Sequence, residues 1–467
     1  SLCLKNTMYL SMTFSNTFGI NLKSVILLTS LTSLSVLLLP EIFTVVLRSV
    51  KLCILKHNAS KYKPLRFFLL DFKLQESPDS LDLDLAKYYE AKKRHSTEVG
   101  YPNSYLKESR KGSEFEASAS VTAALEMMKN GKIEKASKLF KHAMNLYPNH
   151  PDVLNHYGEF LEQHVNDVVE ADHLYSRALS YSPSHSQALI NRQRTSRVVE
   201  EIDANRLKEI DEKRDQLARI SENNAALRRI KKEAYFQYVY HTVGIEGNTM
   251  SLSQTRNILE TRMAVGGKSI MEHNEILGLD AALKYLNSSL VHRIGAITLD
   301  DILEIHRKVM GFVDPEESGK FRKTQVFVGD HVPPSPDELD TQMREFVDWL
   351  NTDEVLRLHP VKYAALAHYK LVFIHPFTDG NGRTSRLLMN LILMQAGYPP
   401  TIIRKQDRLR YYEYLKLANQ GDVRPFIRFI AECTERTLDV YLWATTEYSS
   451  EIPALEQEDS SHTILPN

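Results

Sequence analysis

The sequence predicts an all-α protein made of two helical hairpins, a linker helix and a larger helical domain with one small β-hairpin flap. Three observations predict it. Apolar residues fall at three- and four-residue spacing through AALAHYKLVFI and RLLMNLILMQAG, the period of buried helices. A pattern of small residue, alanine, aromatic, alanine and proline occurs at Ala124, Ala136, Phe140, Ala143 and Pro148, and again at Gly158, Ala171, Tyr175, Ala178 and Pro183. Thr324 to His331 (TQVFVGDH) has the β-branched alternation of a short strand, and Val332-Pro-Pro ends it.

A chain of 467 residues allows two to four folding units. With 58 Lys+Arg against 59 Asp+Glu, no global field favours nucleic acid or an acidic lipid surface. The cysteines, Cys3, Cys53 and Cys433, are too few and scattered for a disulfide framework or a zinc site. Residues 1–23 match no pattern. Ser24 to Pro40 is uncharged and mostly apolar, and with the apolar run to Leu47 the segment 24–47 reads as a membrane anchor, since a spanning helix needs roughly 17–25 residues. A signal-peptide core after Lys23 and a buried soluble helix are the other readings. Basic residues are denser after the segment (Arg48, Lys51, Lys56, Lys61, Lys63, Arg66) than before it (Lys5, Lys23), which by positive-inside counting puts the C-terminal part in the cytosol. The sequons at Asn58 and Asn287 point instead to a lumen. Residues 48–116 are polar, weakly periodic and read as a linker or stalk.

The repeat follows over 117–186. Its first pair of positions is 34 apart and the others 35, so one residue is inserted within the second copy. Small side chains at this period let antiparallel helices approach closely and resemble the tetratricopeptide repeat; an ordinary helical hairpin pair without a partner is the plainer alternative. Two copies leave an open end, which the charged helical stretch 187–232 is expected to cap and link onward. Residues 233–448 form the larger helical domain, and 449–467 a flexible tail.

The chemistry gathers in HPFTDGNGRTSR, His375 to Arg386. Asp379-Gly380-Asn381-Gly382 is a tight turn between two apolar helices. Its glycines let backbone N–H groups converge on an anion, and the helix that follows favours negative charge at its start. Arg383 and Arg386, three apart on the first turn, can clamp phosphate oxygens. Asp379 suits Mg²⁺, which in phosphate sites is held by one or two carboxylates and the phosphates themselves. His375, with an ordinary pKa of about 6.5, suits removal of a proton from a hydroxyl. Together these residues describe transfer of a phosphate-containing group from a Mg-nucleotide to an alcohol.

The stretch resembles the Fic family motif HPFx(D/E)GNGRxxR, matched at every defined position. The resemblance implies a helical core with a β-hairpin flap, and transfer of AMP from ATP, with Mg²⁺ or Mn²⁺, to a Ser, Thr or Tyr hydroxyl. It implies His375 as general base and Asp379 as metal ligand. Asn381 with the amides of Gly380 and Gly382 would hold the α-phosphate, Arg383 would be a phosphate ligand and Arg386 the γ-phosphate ligand. The flap residues Val328, Gly329, Asp330 and His331 would lie over the nucleotide, and Tyr411, Tyr412 and Asn419 would line the adenosine pocket. TVGIEGN, Thr242 to Asn248, resembles the family's inhibitory helix (S/T)xxxE(G/N). Glu246 would then end a helix, where negative charge is disfavoured by roughly 0.3–1 kcal/mol, and would need a cation; pairing with Arg386 would deny ATP its γ-phosphate site. The same carboxylate could orient water toward the phosphorus of an attached AMP, giving de-AMPylation at the same site.

Anchor, repeats, linker, inhibitory helix and motif in this order are similar to the endoplasmic-reticulum members of the family in animals. That similarity implies a single-pass type II membrane protein with a lumenal catalytic part and glycosylation at Asn287. It also implies dimerisation through the Fic domain near Ile270, and AMPylation and de-AMPylation of the Hsp70-type chaperone BiP, without a nucleic-acid partner. The alternatives are a catalytically silent, chaperone-binding repeat protein and a different phosphotransfer.

Overall fold

In the computed structural model, residues 105–293 and 296–446 are described. Helices α1 (Tyr105–Lys129), α2 (Ile133–Leu146), α3 (Pro151–Phe160) and α4 (Val168–Tyr181) form two antiparallel hairpins, and α5 (Ser186–Ala218) continues the stack. The repeated small and aromatic positions make its core: Ala124, Ala136, Phe140, Ala143, Ala171, Tyr175 and Ala178 are completely buried. A Cβ on Gly158 would lie 2.6 Å from the Tyr175 ring, so the small residue here is a condition of helix approach. The extra residue of the second copy is absorbed in a single π turn, Leu161–Val165, ended by Asn166 in the left-handed conformation (φ 59°).

α5 is too polar to stand on burial alone. Its first half buries Ala188, Asn191, Thr195 and Val199; Asn191 donates to Asn155 Oδ1 and Glu159 Oε1 of α3, and Thr195 to Asp172 Oδ1 of α4. Its second half is held by ions: Asp203 takes Arg428 at 2.8 Å, and Arg206 and Lys213 both reach Glu435. A short turn then leads to α6 (Ala225–Ile245), started by Asn224 accepting from the Leu227 N–H at 2.9 Å. The rest of the large core is built by α7 (Leu252–Thr261), α8 (Ile270–Tyr285), α9 (Leu299–Met310), α10 (Leu339–Leu350), α11 (Pro360–Ile374), α12 (Asn381–Gln395), α13 (Arg408–Asn419) and α14 (Arg424–Ala444). α11 and α12 are the central antiparallel pair. Every residue from Arg383 to Met394 is buried, which fits the all-round apolar pattern of RLLMNLILM.

The chain is therefore all-α, as its periodicity predicts. The expected strand over 324–331 contracts to a single antiparallel bridge, Val328 to His331, closed by reciprocal N–H···O=C bonds of 3.0 Å about Gly329 (φ 58°). No third strand among the described residues extends the ladder, and Pro333-Pro334 supplies no further donor.

The single-pass, membrane-anchored placement expected from the sequence is corrected: among the described residues no helix is long and apolar enough to cross a membrane. The 24–47 segment expected to be that anchor lies outside the described residues, as do the 48–104 part of the expected stalk, Asn58 and the expected tail. Asn287 is exposed on the turn after α8, and Ile270, at the start of α8, is 74% exposed.

Candidate active site

The site lies where α11 turns into α12. His375 closes α11 in the left-handed conformation (φ 50°), its N–H donating to Leu371 O at 3.0 Å, and Pro376 prevents continuation. Gly380 (φ 77°) begins α12. Between them the Asn381 side chain clasps the loop: its Oδ1 accepts from the Phe377 N–H at 3.0 Å and its Nδ2 donates to Phe377 O at 2.8 Å. The amide of Asn381 is thus used on the loop, so the groups left to meet an anion are the first N–H donors of α12, which have no intrahelical acceptor.

Two buried arginines flank those donors. Arg383, 2% exposed, donates to Asp379 Oδ2 at 2.8 Å and stands 3.5 Å from Glu275 Oε1. Its Nε and Nη1, and the Nε of Arg386, are buried without a hydrogen-bond partner. Guanidinium donors left without a hydrogen bond beside a helix start can serve an anion. Arg386, 1% exposed, is ion-paired to Glu246 Oε1 at 2.5 Å and also donates to Thr242 O (3.1 Å) and the Tyr411 hydroxyl (3.4 Å). The Glu246 carboxylate lies over Gly382, where any side chain would collide with it.

His375 is half-buried. Its Nδ1–H donates to Val372 O at 3.2 Å, which leaves the Nε2 lone pair free to accept a proton. Burial draws its pKa below the ordinary value; the bond to Val372 opposes this and the Arg322 charge reinforces it, so the ring is neutral near pH 7. Asp379 is largely exposed at the mouth, its Oδ1 accepting from the Gly380 N–H at 2.6 Å. Among the described residues no group of three or more His, Cys, Asp or Glu side chains could hold a metal unaided. One open carboxylate beside an anion cradle nevertheless fits an ion that takes most of its ligands from phosphates and water.

Of the expected flap residues, Val328, Gly329 and Asp330 are exposed, and Asp330 pairs with Lys416 of α13 at 2.8 Å. His331 turns inward: it is 7% exposed, and its Nε2–H donates to Phe373 O at 2.8 Å. Tyr411, expected along an adenosine pocket, is 1% exposed beneath Arg386, with its hydroxyl 3.0 Å from His368 Nε2. Tyr412 is more open, its hydroxyl 3.5 Å from Glu246 Oε2, and Asn419 is half-buried at the end of α13.

Sequence reading missed two residues that hold this geometry. His306 of α9 donates from Nε2 to Asp379 O, accepts the Gly319 N–H at Nδ1 (both 2.9 Å), and stacks on Phe377 at 3.6 Å. Its spacing with Ile302, Ile305 and Val309 reads only as an apolar face. Arg322, next to the flap, donates to the carbonyl of His375 at 2.8 Å; nothing in its local sequence signals that reach.

Residues 296–393 match the Fic/DOC family. The chain is 63% identical over 345 residues to protein adenylyltransferase Fic of Aedes aegypti, covering 74% of this chain and 69% of that protein. To protein adenylyltransferase Fic of Drosophila grimshawi it is 62% identical over 350 residues, covering 75% of this chain and 72% of that one. Among solved structures, Fic-1 (residues 134–508) from C. elegans superposes with a TM-score of 0.66 at 47% identity, covering 70% of this chain and 98% of that chain. With the motif intact and the anion cradle assembled around it, the chain belongs to the Fic family of protein adenylyltransferases, enzymes that take AMP from ATP.

Proposed function

We propose that this adenylyltransferase modifies a Ser or Thr hydroxyl of an Hsp70-type chaperone of the BiP kind, is held inactive by Glu246, and removes the same AMP by hydrolysis. The observation that carries the control is the 2.5 Å ion pair between Glu246 and the buried Arg386, because the same guanidinium would hold the γ-phosphate. Once Glu246 gives way, ATP sits with its phosphates on the start of α12 and on Arg383 and Arg386. His375 Nε2 takes the proton of the target hydroxyl, its oxygen forms a bond to the α-phosphorus, and the bond to the β-phosphate oxygen breaks, releasing pyrophosphate. Asp379 would hold Mg²⁺ or Mn²⁺, which offsets phosphate charge.

In the reverse role, Glu246 orients a water toward the phosphorus of the attached AMP. The water oxygen bonds to the phosphorus as Glu246 takes its proton, the phosphorus–oxygen bond to the target breaks, and the leaving oxygen takes a proton from Nε2 of His375 in its imidazolium form, releasing AMP. The helical repeats supply a docking surface for the chaperone, and the exposed Ile270 and Met271 (74% and 61%) supply apolar contacts for a homodimer.

The test incubates the full chain, wild type and Glu246→Gly, with Mg²⁺, α-labelled ATP and an Hsp70. Label appearing with the variant and little with wild type supports the reading, and wild type added afterwards should remove it. No label from either form, with ATP binding intact, would favour a silent binding protein.

A further inference from the structure

Arg322 is 2% exposed, yet no carboxylate among the described residues pairs with it; burial without a counter-charge draws its pKa down. Burying a guanidinium unpaired is expensive, so its partners bear on its purpose. All are main-chain carbonyls. Nη1 donates to Thr324 O at 2.9 Å, where the chain enters the flap, and Nη2 to Pro334 O at 2.5 Å, where it leaves. Nε donates to His375 O at 2.8 Å, and the Arg322 main-chain N–H to Pro376 O at 2.9 Å. His375 ends α11, so its carbonyl has no helical donor, and its left-handed backbone needs support from outside the helix.

We propose that Arg322 is a positioning residue that fastens both ends of the flap to the carbonyl of His375, so that the flap and the proton acceptor move as one body. A target segment seated on the flap is thereby registered against His375 Nε2. The planar fork matters as well as the charge: three carbonyls on three segments are reached by nitrogens held in one plane, a geometry an ammonium cannot reproduce. No hydrogen bond of Arg322 reaches the α12 anion cradle, so the phosphate-facing donors keep supports of their own. The inference rests on the proposed transfer reaction only where the flap is taken to seat the target.

The test uses the full chain with Arg322→Gln and Arg322→Lys, each also in the Glu246→Gly background. Without nucleotide or target, hydrogen exchange at the Val328 and His331 amides should quicken by roughly tenfold or more in both variants, with α12 unchanged. In the Glu246→Gly background, kcat/KM for the protein target should fall by roughly tenfold or more, while directly measured ATP affinity stays within about twofold. Flap exchange equal to wild type, or ATP affinity falling in step with transfer, would overturn the proposal. Loss of cooperative unfolding in both variants would also overturn it, because positioning must be separable from folding. If the Glu246→Gly chain transfers no AMP to any target, the functional reading fails by itself, and the exchange data still decide the fastening.

Discussion

Replacing Glu246 by glycine should raise affinity for ATP far more than affinity for ADP. Arg386 is 1% exposed and the Glu246 side chain 26% exposed, with 2.5 Å between their atoms. Unit charges about 4 Å apart at an effective dielectric of ~20 attract by about 4 kcal/mol. The carboxylate keeps part of its water, so a net value of about 1.5–3 kcal/mol, as for hydrogen bonds to charged groups, is the better estimate. A nucleotide that needs Arg386 must overcome that amount, which corresponds to roughly ten- to hundredfold in dissociation constant. ADP has no γ-phosphate and should gain less than about threefold. Calorimetric titration of wild type and Glu246→Gly with each nucleotide reads the difference directly. Equal gains for ATP and ADP would refute competition at Arg386.

The same substitution has a stability counterpart. Without nucleotide, Arg386 keeps, among the described residues, only Thr242 O and the Tyr411 hydroxyl as hydrogen-bond acceptors, and a buried charge stripped of its partner costs about 3–5 kcal/mol. The Tm of the variant should therefore fall, and saturating ATP should recover part of it, since ligand at ~100 Kd stabilises by about 2.7 kcal/mol.

Three further outcomes are expected. His306→Ala should lower kcat/KM for ATP by roughly tenfold or more by releasing the Asp379 carbonyl, with His306→Gln recovering part of it; unchanged ATP kinetics would show that the loop holds itself. Gly158→Ala should cost about 1–3 kcal/mol in chemical unfolding, because the methyl meets the Tyr175 ring at 2.6 Å. Burial keeps His241, His306 and His368 neutral, with pKa values lowered to about 3, to about 4 and well below the ordinary value. The unfolded chain takes up protons that the fold refuses, so their contribution is full above pH ~6.5 and is lost as pH falls toward the folded values, by up to about 1.4 kcal/mol per histidine per pH unit. His156, raised by its bond to Glu159, works in the opposite sense and cancels part; a Tm flat between pH 7 and pH 5 would contradict the net loss.

What could be read before the structure was whatever depends on neighbours in sequence. The repeat predicted its buried residues because helical period alone decides which face is apolar, and even the 34-to-35 change in spacing has a physical site in the π turn. The pairing of Glu246 with Arg386 was legible from family motifs, since no local rule links residues 140 positions apart. His306 and Arg322 were not legible. Their partners lie 73 and 53 positions away, and both partners are backbone carbonyls, which leave no side-chain pattern to detect. The resemblance implies nucleotide-facing places for Tyr411 and His331; Tyr411 also supports Arg386 from beneath, and His331 also ties the flap to α11. Local sequence identifies chemistry-bearing residues better than it identifies which way they turn.

The release of Glu246 proposed above would be constrained by its own backbone. Glu246 caps α6 at the C-terminal end, where the helix dipole opposes its charge by roughly 0.3–1 kcal/mol, so the pair with Arg386 is weakened from within. The main chain on either side is nevertheless fastened. Ile245 O accepts Arg408 Nε at 2.6 Å; Asn248 Nδ2 donates to Glu275 Oε2 at 2.7 Å and Glu272 O at 3.0 Å; the Thr249 N–H donates to Glu272 Oε1 at 2.7 Å. Unwinding would break several of these bonds at once, whereas rotation of the side chain breaks only the contacts of the carboxylate. Release by rotation predicts that exchange of the Glu246, Gly247 and Asn248 amides, which donate to Val243 and Gly244 carbonyls, stays within about twofold when ATP saturates the site. Acceleration by roughly tenfold or more would mean that the helix end opens, and α8, which holds the turn after it, would then belong to the switch.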